Sequence, residues 1–127
     1  MKPFVFLMSI VAASVSVPTA DAQDASAKCL DSRILNNRTS AQYGAYLSGK
    51  IASCDRALAA VRDSEQKFKL LRQRGNLHLI KAKNPRYTPE AKSDRAALGR
   101  HANAAADDFL AAFQLHVGEL GKRATGM

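Results

Sequence analysis

The side chains best suited to catalysis or metal binding in this chain are three histidines and one pair of adjacent carboxylates, Asp107 and Asp108. His78, His101 and His116 do not form an H-E-x-x-H pattern, and none lies four positions from another typical metal ligand. Neighbouring positions on a helix point about 100° apart, so the two aspartates are not expected to share a site. The sequence therefore predicts no catalytic residue, no metal site, no cofactor and no small-molecule substrate, and we interpret the protein as a non-enzyme.

The beginning of the chain indicates whether the two cysteines form a disulfide, because it indicates the compartment of the protein. Residues 1–22 have the pattern of a signal peptide: a basic residue, an apolar run too short to span a membrane, and the small-x-small sequence Ala20-Asp21-Ala22. We expect cleavage after Ala22, which leaves residues 23–127 as a single small helical domain, periplasmic or secreted. An even pair of cysteines in an exported chain predicts a disulfide between Cys29 and Cys54.

The charge of the chain narrows the class of partner without identifying one. The formal net charge is +8, and it remains +8 without the first 22 residues because that segment carries one lysine and one aspartate. A basic surface attracts acidic proteins, lipid head groups, cell-envelope polymers or nucleic acid. Solubility of a small exported protein explains the same excess of lysine and arginine equally well.

The elements that must position these side chains are helices, because alanine is abundant and valine and isoleucine are sparse. A short helix is predicted from Asp24 to Leu35. Asp63 is predicted to cap a helix that ends before Pro85, since proline disfavours helix at the preceding residue. Apolar residues at steps of three and four indicate two buried stripes in this half of the chain: Leu47, Ile51, Cys54, Leu58 and Val61, then Phe68, Leu71, Gly75, His78 and Ala82.

A last helix is predicted to start at Thr88, with Thr88 as its cap and Pro89 in its first position. Gly118 and Gly121 are expected to mark its frayed end. Its buried stripe consists of residues at helical spacing: Leu98, Ala102, Ala105, Phe109, Ala112 and His116.

Gly75 lies on a face that the pattern predicts to be buried, although a glycine inside a helix costs about 1 kcal/mol relative to alanine. A glycine opposite alanines lets two helix backbones approach at the short end of the usual spacing. The dispersion energy recovered at such a contact offsets the propensity cost. We therefore expect Gly75 to pack against small residues of the last helix, Ala102 and Ala105.

These spacings resemble those of the tetratricopeptide repeat. In that family the first helix carries a large apolar residue, a small residue four positions later and a ring three positions after that, as do Leu71, Gly75 and His78. The resemblance spans roughly residues 49–115, or about one and a half repeats, and it implies antiparallel helical hairpins with a short N-terminal capping helix. The family's second helix is matched by Ala105, Phe109 and Ala112.

The resemblance implies a protein-interaction module or adaptor, because the first helix of each repeat in that family lines a binding groove. On this chain the corresponding face is basic and can form hydrogen bonds, which suits an acidic protein or peptide of the cell envelope. An ordinary solvated helix face is the competing interpretation. The predicted partner-binding residues are Lys69, Arg72, Asn76, Leu79 and Lys83.

Two further alternatives stay open from the sequence. Dispersed positive charge without a groove predicts direct binding to an anionic cell-envelope polymer, lipid head groups or nucleic acid. A short helical array with exposed ends also predicts a possible homodimer that completes its core.

Overall fold

The computed structural model describes residues 20–31 and 38–125. Within these residues it contains helices and turns but no strand, which confirms the prediction of an all-α protein. The short connection after the third α-helix forms two 3-10 segments, Pro85–Tyr87 and Pro89–Lys92. The four α-helices described are α1 (Ala20–Leu30), α2 (Ser40–Ala60), α3 (Ser64–Lys83) and α4 (Ala96–Thr125).

Helix α3 runs antiparallel to both α2 and α4. Arg74 of α3 contacts Asp55 of α2. Lys81, nearer the C-terminal end of α3, contacts Ser48, which lies seven positions before Asp55 on α2. Helices α3 and α4 show the same opposed order, because Arg74 meets Asp108 and His78 meets His101. Contacts thus proceed forward along one helix and backward along the next.

Local capping sets the starts of α2 and α3. The Thr39 hydroxyl accepts a hydrogen bond from the Gln42 amide while the Gln42 side chain accepts from the Thr39 amide, which is a complete capping box. Asp63 caps α3 as predicted, with its carboxylate 2.9 Å from the amide nitrogen of Gln66. Helix α2 then continues without interruption through Gly49.

The first helix is displaced from its expected range. It begins at Ala20 and ends at Leu30, so the predicted cleavage point after Ala22 lies in its first turn. Its predicted final residues, 32–35, lie outside the described residues. A disulfide joins Cys29 of α1 to Cys54 of α2, and both cysteines are fully buried.

The apolar core lies between α1, α2 and one side of α3. Leu47 and Cys54 occupy the predicted stripe of α2, and they pack with Leu70 and Leu77 of α3. Leu70 and Leu77 do not belong to the stripe predicted for α3, which faces α4 instead. Helix α3 is therefore buried on two sides, a situation that a single-stripe interpretation cannot represent.

The prediction that Thr88 caps the last helix is wrong. Thr88 is completely buried, and its hydroxyl donates a 2.8 Å hydrogen bond to the carbonyl of Lys81. Thr88 thus donates to a buried carbonyl in the last turn of α3 and does not cap the amides at the start of α4. The start of α4 uses Asp94, whose carboxylate accepts from the amide of Ala96 at 3.1 Å.

Two expectations for α4 also need correction. The helix does not fray at Gly118 and Gly121 but continues to Thr125. The close approach at Gly75 exists, yet its neighbour is the ring of Phe109: a Cβ on Gly75 would lie 2.9 Å from Cε1 of that ring. Ala102 is exposed, because the phase of α4 turns it away from the contact.

Candidate functional site

The five predicted partner-binding residues lie on one exposed face of α3. Each is exposed, and their alternating steps of three and four positions place them along a single line of the helix. They form what we call the basic stripe, defined by Lys69, Arg72, Asn76, Leu79 and Lys83.

Two cations of the basic stripe have neighbours on their own helix. The ammonium of Lys69 lies 3.8 Å from the carboxylate of Glu65, and both side chains are well exposed. Such a surface pair contributes little to stability and is readily exchanged for another anion. The guanidinium of Arg72 lies 5.5 Å from the centre of the Phe68 ring. The stripe therefore presents positive charge that no buried carboxylate of the described residues neutralises.

Beside the basic stripe, the α3–α4 contact is held by an ion pair. Arg74 forms two hydrogen bonds to the carboxylate of Asp108, at 2.9 Å and 2.7 Å, and a third to Asp55 at 2.8 Å. The Asp108 side chain is only 6% exposed. Hydrogen bonding to Asp108 raises the pKa of Arg74 further above its ordinary value, against the opposing effect of burial. Arg74 thus links three helices through one fixed planar group.

A second polar chain follows one turn further along α3. The Nδ1 atoms of His78 and His101 lie 2.9 Å apart, and Nε2 of His101 lies 3.0 Å from the Glu90 carboxylate. Because a carboxylate only accepts, His101 donates through Nε2, and His78 then donates from Nδ1 to His101. Burial, followed by the neighbouring His101, lowers the pKa of His78. The lowered pKa favours the neutral form of His78.

Lys81 connects the histidine chain to α2. Its side chain is 1% exposed, and its ammonium donates a 2.7 Å hydrogen bond to Ser48 and lies 3.9 Å from Glu90. A hydrogen bond from His101 is the main cause that lowers the pKa of Glu90, and the positive charge of Lys81 acts in the same direction. The polar contact therefore extends from α2 through α3 to the segment before α4.

Sequence reasoning missed the cluster formed by these residues. Asp108, one of the two adjacent carboxylates, is paired with Arg74 of another helix, which no local pattern indicates. The signal that could have revealed the cluster was the presence of Arg74, His78 and Lys81 on or beside faces expected to be buried. Polar residues at such positions require partners. Within residues 20–31 and 38–125, no three side chains of His, Cys, Asp or Glu are grouped to hold a metal ion.

Comparison with protein-family models, curated proteins and solved structures found no match for this chain. Among the described residues, no helix combines the length and apolar character needed to cross a membrane. The proposals below consequently depend on the geometry of the chain itself and on the tetratricopeptide resemblance stated above.

Proposed function

We propose that this protein is a non-catalytic, exported protein-interaction module whose basic stripe binds an acidic protein or peptide of the cell envelope. The observation that carries the proposal is the exposure of all five predicted residues along one face of α3. Asn76 and Leu79 interrupt the charge with one hydrogen-bonding and one apolar position. A peptide ligand uses such a mixture, whereas an anionic polymer needs charge alone.

The tetratricopeptide-like assignment forms part of this proposal. Its support is the antiparallel order of α3 and α4 and the close contact between Gly75 and Phe109, two residues that occupy family positions. One difference from the family is the connection from Asn84 to Arg95, which contains two 3-10 segments where the family has a short turn. In this arrangement α1 would act as the N-terminal cap of the array.

Export is supported by the disulfide, because such bonds persist in oxidising compartments. We expect the exported protein to begin at Gln23. Intact mass of protein recovered from the periplasm or medium measures this directly, and a membrane-bound species that retains Met1 would contradict cleavage.

The binding proposal is tested with a photo-crosslinking amino acid at position 76, at the centre of the basic stripe. Cell-envelope extract is added, the sample is washed across a salt series, and crosslinked proteins are identified by mass spectrometry. We expect one or a few acidic proteins that persist when the salt is raised to about 0.5 M, since contacts in a groove are screened less than dispersed charge.

Matched charge variants separate a specific face from charge alone. One variant carries Lys69→Glu, Arg72→Glu and Lys83→Glu, and the control carries three equivalent reversals at exposed positions elsewhere: Lys92→Glu, Arg95→Glu and Lys122→Glu. The proposal expects capture to be lost in the first and retained in the second. Equal loss in both would favour the alternative function, charge-driven binding of an anionic polymer, lipid head groups or nucleic acid.

The expected homodimer has a candidate surface on α4. Leu110, Phe113, Val117 and Leu120 are all exposed, with Phe113 the most at 62%. Their steps of three, four and three positions are those of a coiled-coil seam, which a second copy of the same helix can match. Sedimentation of Phe113→Glu against Gln114→Glu, its exposed neighbour, tests this: only the former should shift a dimer to monomer.

A further inference from the structure

All three tyrosines of the chain surround one cavity of about 500 Å³. Tyr43 and Tyr46 come from α2, and Tyr87 comes from the 3-10 segment that follows α3. The Tyr43 and Tyr87 rings meet edge to face with centres 4.8 Å apart, and the Tyr43 and Tyr46 rings are stacked at 6.0 Å. Cavities of this size and aromatic character are typical of small-molecule sites. None of the basic-stripe residues lines it.

Three cations line the same cavity: Arg38, Lys50 and Arg86. Within the described residues none of them belongs to an ion pair. The carboxylate-bearing residue among the lining is Asp31, and its backbone carbonyl, rather than its side chain, accepts a hydrogen bond from the Lys50 ammonium. The lining therefore carries an excess of positive charge.

Lys50 is the unusual member of this group, because it is only 7% exposed. Its ammonium lies 5.5 Å from the centre of the Tyr46 ring, which contributes a cation–π interaction. A lysine is rarely buried without a charged partner, since removing an ammonium from water is costly. An anion held in the cavity would supply that partner.

The Tyr46 hydroxyl provides a separate observation. Its oxygen is buried and has no hydrogen-bond partner among the described residues. A buried hydroxyl without a partner is destabilising, and such groups are uncommon in folded proteins. Tyr46 also lines the cavity, and a small rotation of its side chain on ligand binding would bring the hydroxyl to an acceptor atom held there.

We propose that this cavity binds a small organic anion in which a carboxylate or phosphate is attached to a planar ring. Arg38, Lys50 and Arg86 supply the charge that holds the anionic group, and the tyrosine rings supply apolar faces for the planar part. The start of α2 at Thr39 and Ser40 also borders the cavity, where the helix dipole favours negative charge. This site is independent of the basic stripe.

The NMR signals of ¹³C-labelled tyrosine rings report directly on the proposed site, because all the tyrosines of the chain line the cavity. Three probes divide the chemistry: phenyl phosphate carries the ring and the anion, inorganic phosphate the anion alone, and phenol the ring alone. We expect phenyl phosphate to shift the tyrosine ring signals with a dissociation constant of about 1 mM, as suits so small a ligand. Each half-probe should bind at least about tenfold more weakly.

Variants locate the binding. Arg38→Ala with Arg86→Ala should weaken phenyl phosphate binding by about tenfold or more, whereas Arg95→Ala with Arg123→Ala, which removes the same charge from exposed positions, should not. Tyr46→Phe keeps the ring and should weaken binding about fivefold. Calorimetric titration and thermal unfolding of each variant confirm the affinities and the fold.

Three results would overturn the proposal. Phenyl phosphate that binds no better than inorganic phosphate would remove the role of the rings. An equal loss of phenyl phosphate binding in the Arg95→Ala, Arg123→Ala control would show that net charge alone accounts for the binding. Absence of binding by phenyl phosphate at about ten times the expected dissociation constant would exclude a site for this class of ligand.

Discussion

The two buried sides of α3 carry different kinds of side chain. Toward α1 and α2 the helix presents Leu70 and Leu77, which pack on an apolar cluster that contains the disulfide. Toward α4 it presents Arg74, Gly75 and His78, which form an ion pair, a backbone-to-ring contact and a histidine chain. The first contact is mainly apolar and packs on helices that a disulfide joins to each other, whereas the second depends on the direction and distance of polar groups.

This difference matters because apolar packing tolerates small shifts, whereas buried polar groups must be matched one by one. A slide of α4 by one turn would keep alanines against α3 but would separate Arg74 from Asp108. The polar side therefore specifies the register of α4, and the apolar side supplies much of the burial. The following substitutions test this division, from the largest expected effect to the smallest.

Removal of the buried carboxylate should be the most damaging change. Asp108→Ala leaves Arg74 without its principal partner, and the loss of one member of a buried ion pair costs about 3–5 kcal/mol of unfolding free energy. Asp107→Ala is the matched control, because Asp107 is exposed, and it should change stability by no more than about 0.5 kcal/mol. Urea unfolding measures both. Similar values for the two variants would show that the ion pair does not fix α4.

Loss of the disulfide should affect the opposite side of α3. Cys29 and Cys54 are separated by 25 positions, and closing a loop of that size contributes about 3.5 kcal/mol in the chain-entropy model. We expect Cys29→Ser with Cys54→Ser to lose that amount. Hydrogen exchange should become faster in α1 than at the contact between α3 and α4. Faster exchange confined to α4 would contradict the division between the two sides.

Substitutions at Gly75 probe the closest point of the polar side. Gly75→Leu should cost about 3 kcal/mol, because the added side chain must displace the Phe109 ring. Gly75→Ala combines about 1 kcal/mol of improved helix propensity with 1–3 kcal/mol of overpacking, so it should be neutral to destabilising.

Gly99 provides the control for this pair. It lies in exposed helix with nothing within 4 Å of an added Cβ, so Gly99→Ala should gain about 1 kcal/mol. Thermal unfolding compares the three variants. A Gly75→Leu protein as stable as the parent would show that the close contact does not exist. The tetratricopeptide-like arrangement would then lose its main physical support.

The smallest expected effect is a dependence on pH through His78. Burial and His101 lower its pKa in the folded state, partly opposed by Asp108 and Asp55. The unfolded chain therefore binds more protons once the pH falls below about 6.5, and stability should decrease as the pH is lowered from about 7.5 toward 5.5. Glu90, whose pKa is also lowered, loses its contribution only at more acidic pH.

The matched variants for this effect are His78→Gln and His116→Gln. The first should reduce the slope of stability against pH, and the second is the control, because it makes the same change at an exposed position. Urea midpoints across the pH range measure the slope independently of any constant loss from the substitution. An unchanged slope in His78→Gln would show that a group other than His78 causes the pH dependence.

The sequence predicted the features that depend on neighbours along the chain. Asp63 caps α3, Pro85 follows its end, and the buried stripe of α2 contains Leu47 and Cys54 as expected. These features are readable because a cap bonds amides two or three positions away and a stripe repeats every three to four. The pairing of the two cysteines also followed, since the chain offers each cysteine one possible partner.

The candidate sites were predictable to different extents. The basic stripe could be placed because exposure on α3 follows from the phase of its buried residues. The tyrosine cavity could not, because Tyr43 and Tyr46 are far in sequence from Tyr87 and no local pattern connects them.

What only the tertiary structure decided is which side chains meet. Periodicity gave Gly75 a buried face but not Phe109 as its neighbour. The local capping pattern made Thr88 the start of the last helix, although the folded chain turns its hydroxyl back to Lys81. The same limit applies to Asp108, whose burial depends on the reach of Arg74 from another helix. Helical phase fixes direction around one axis, whereas contact between helices also requires their relative shift along that axis, which no single segment encodes.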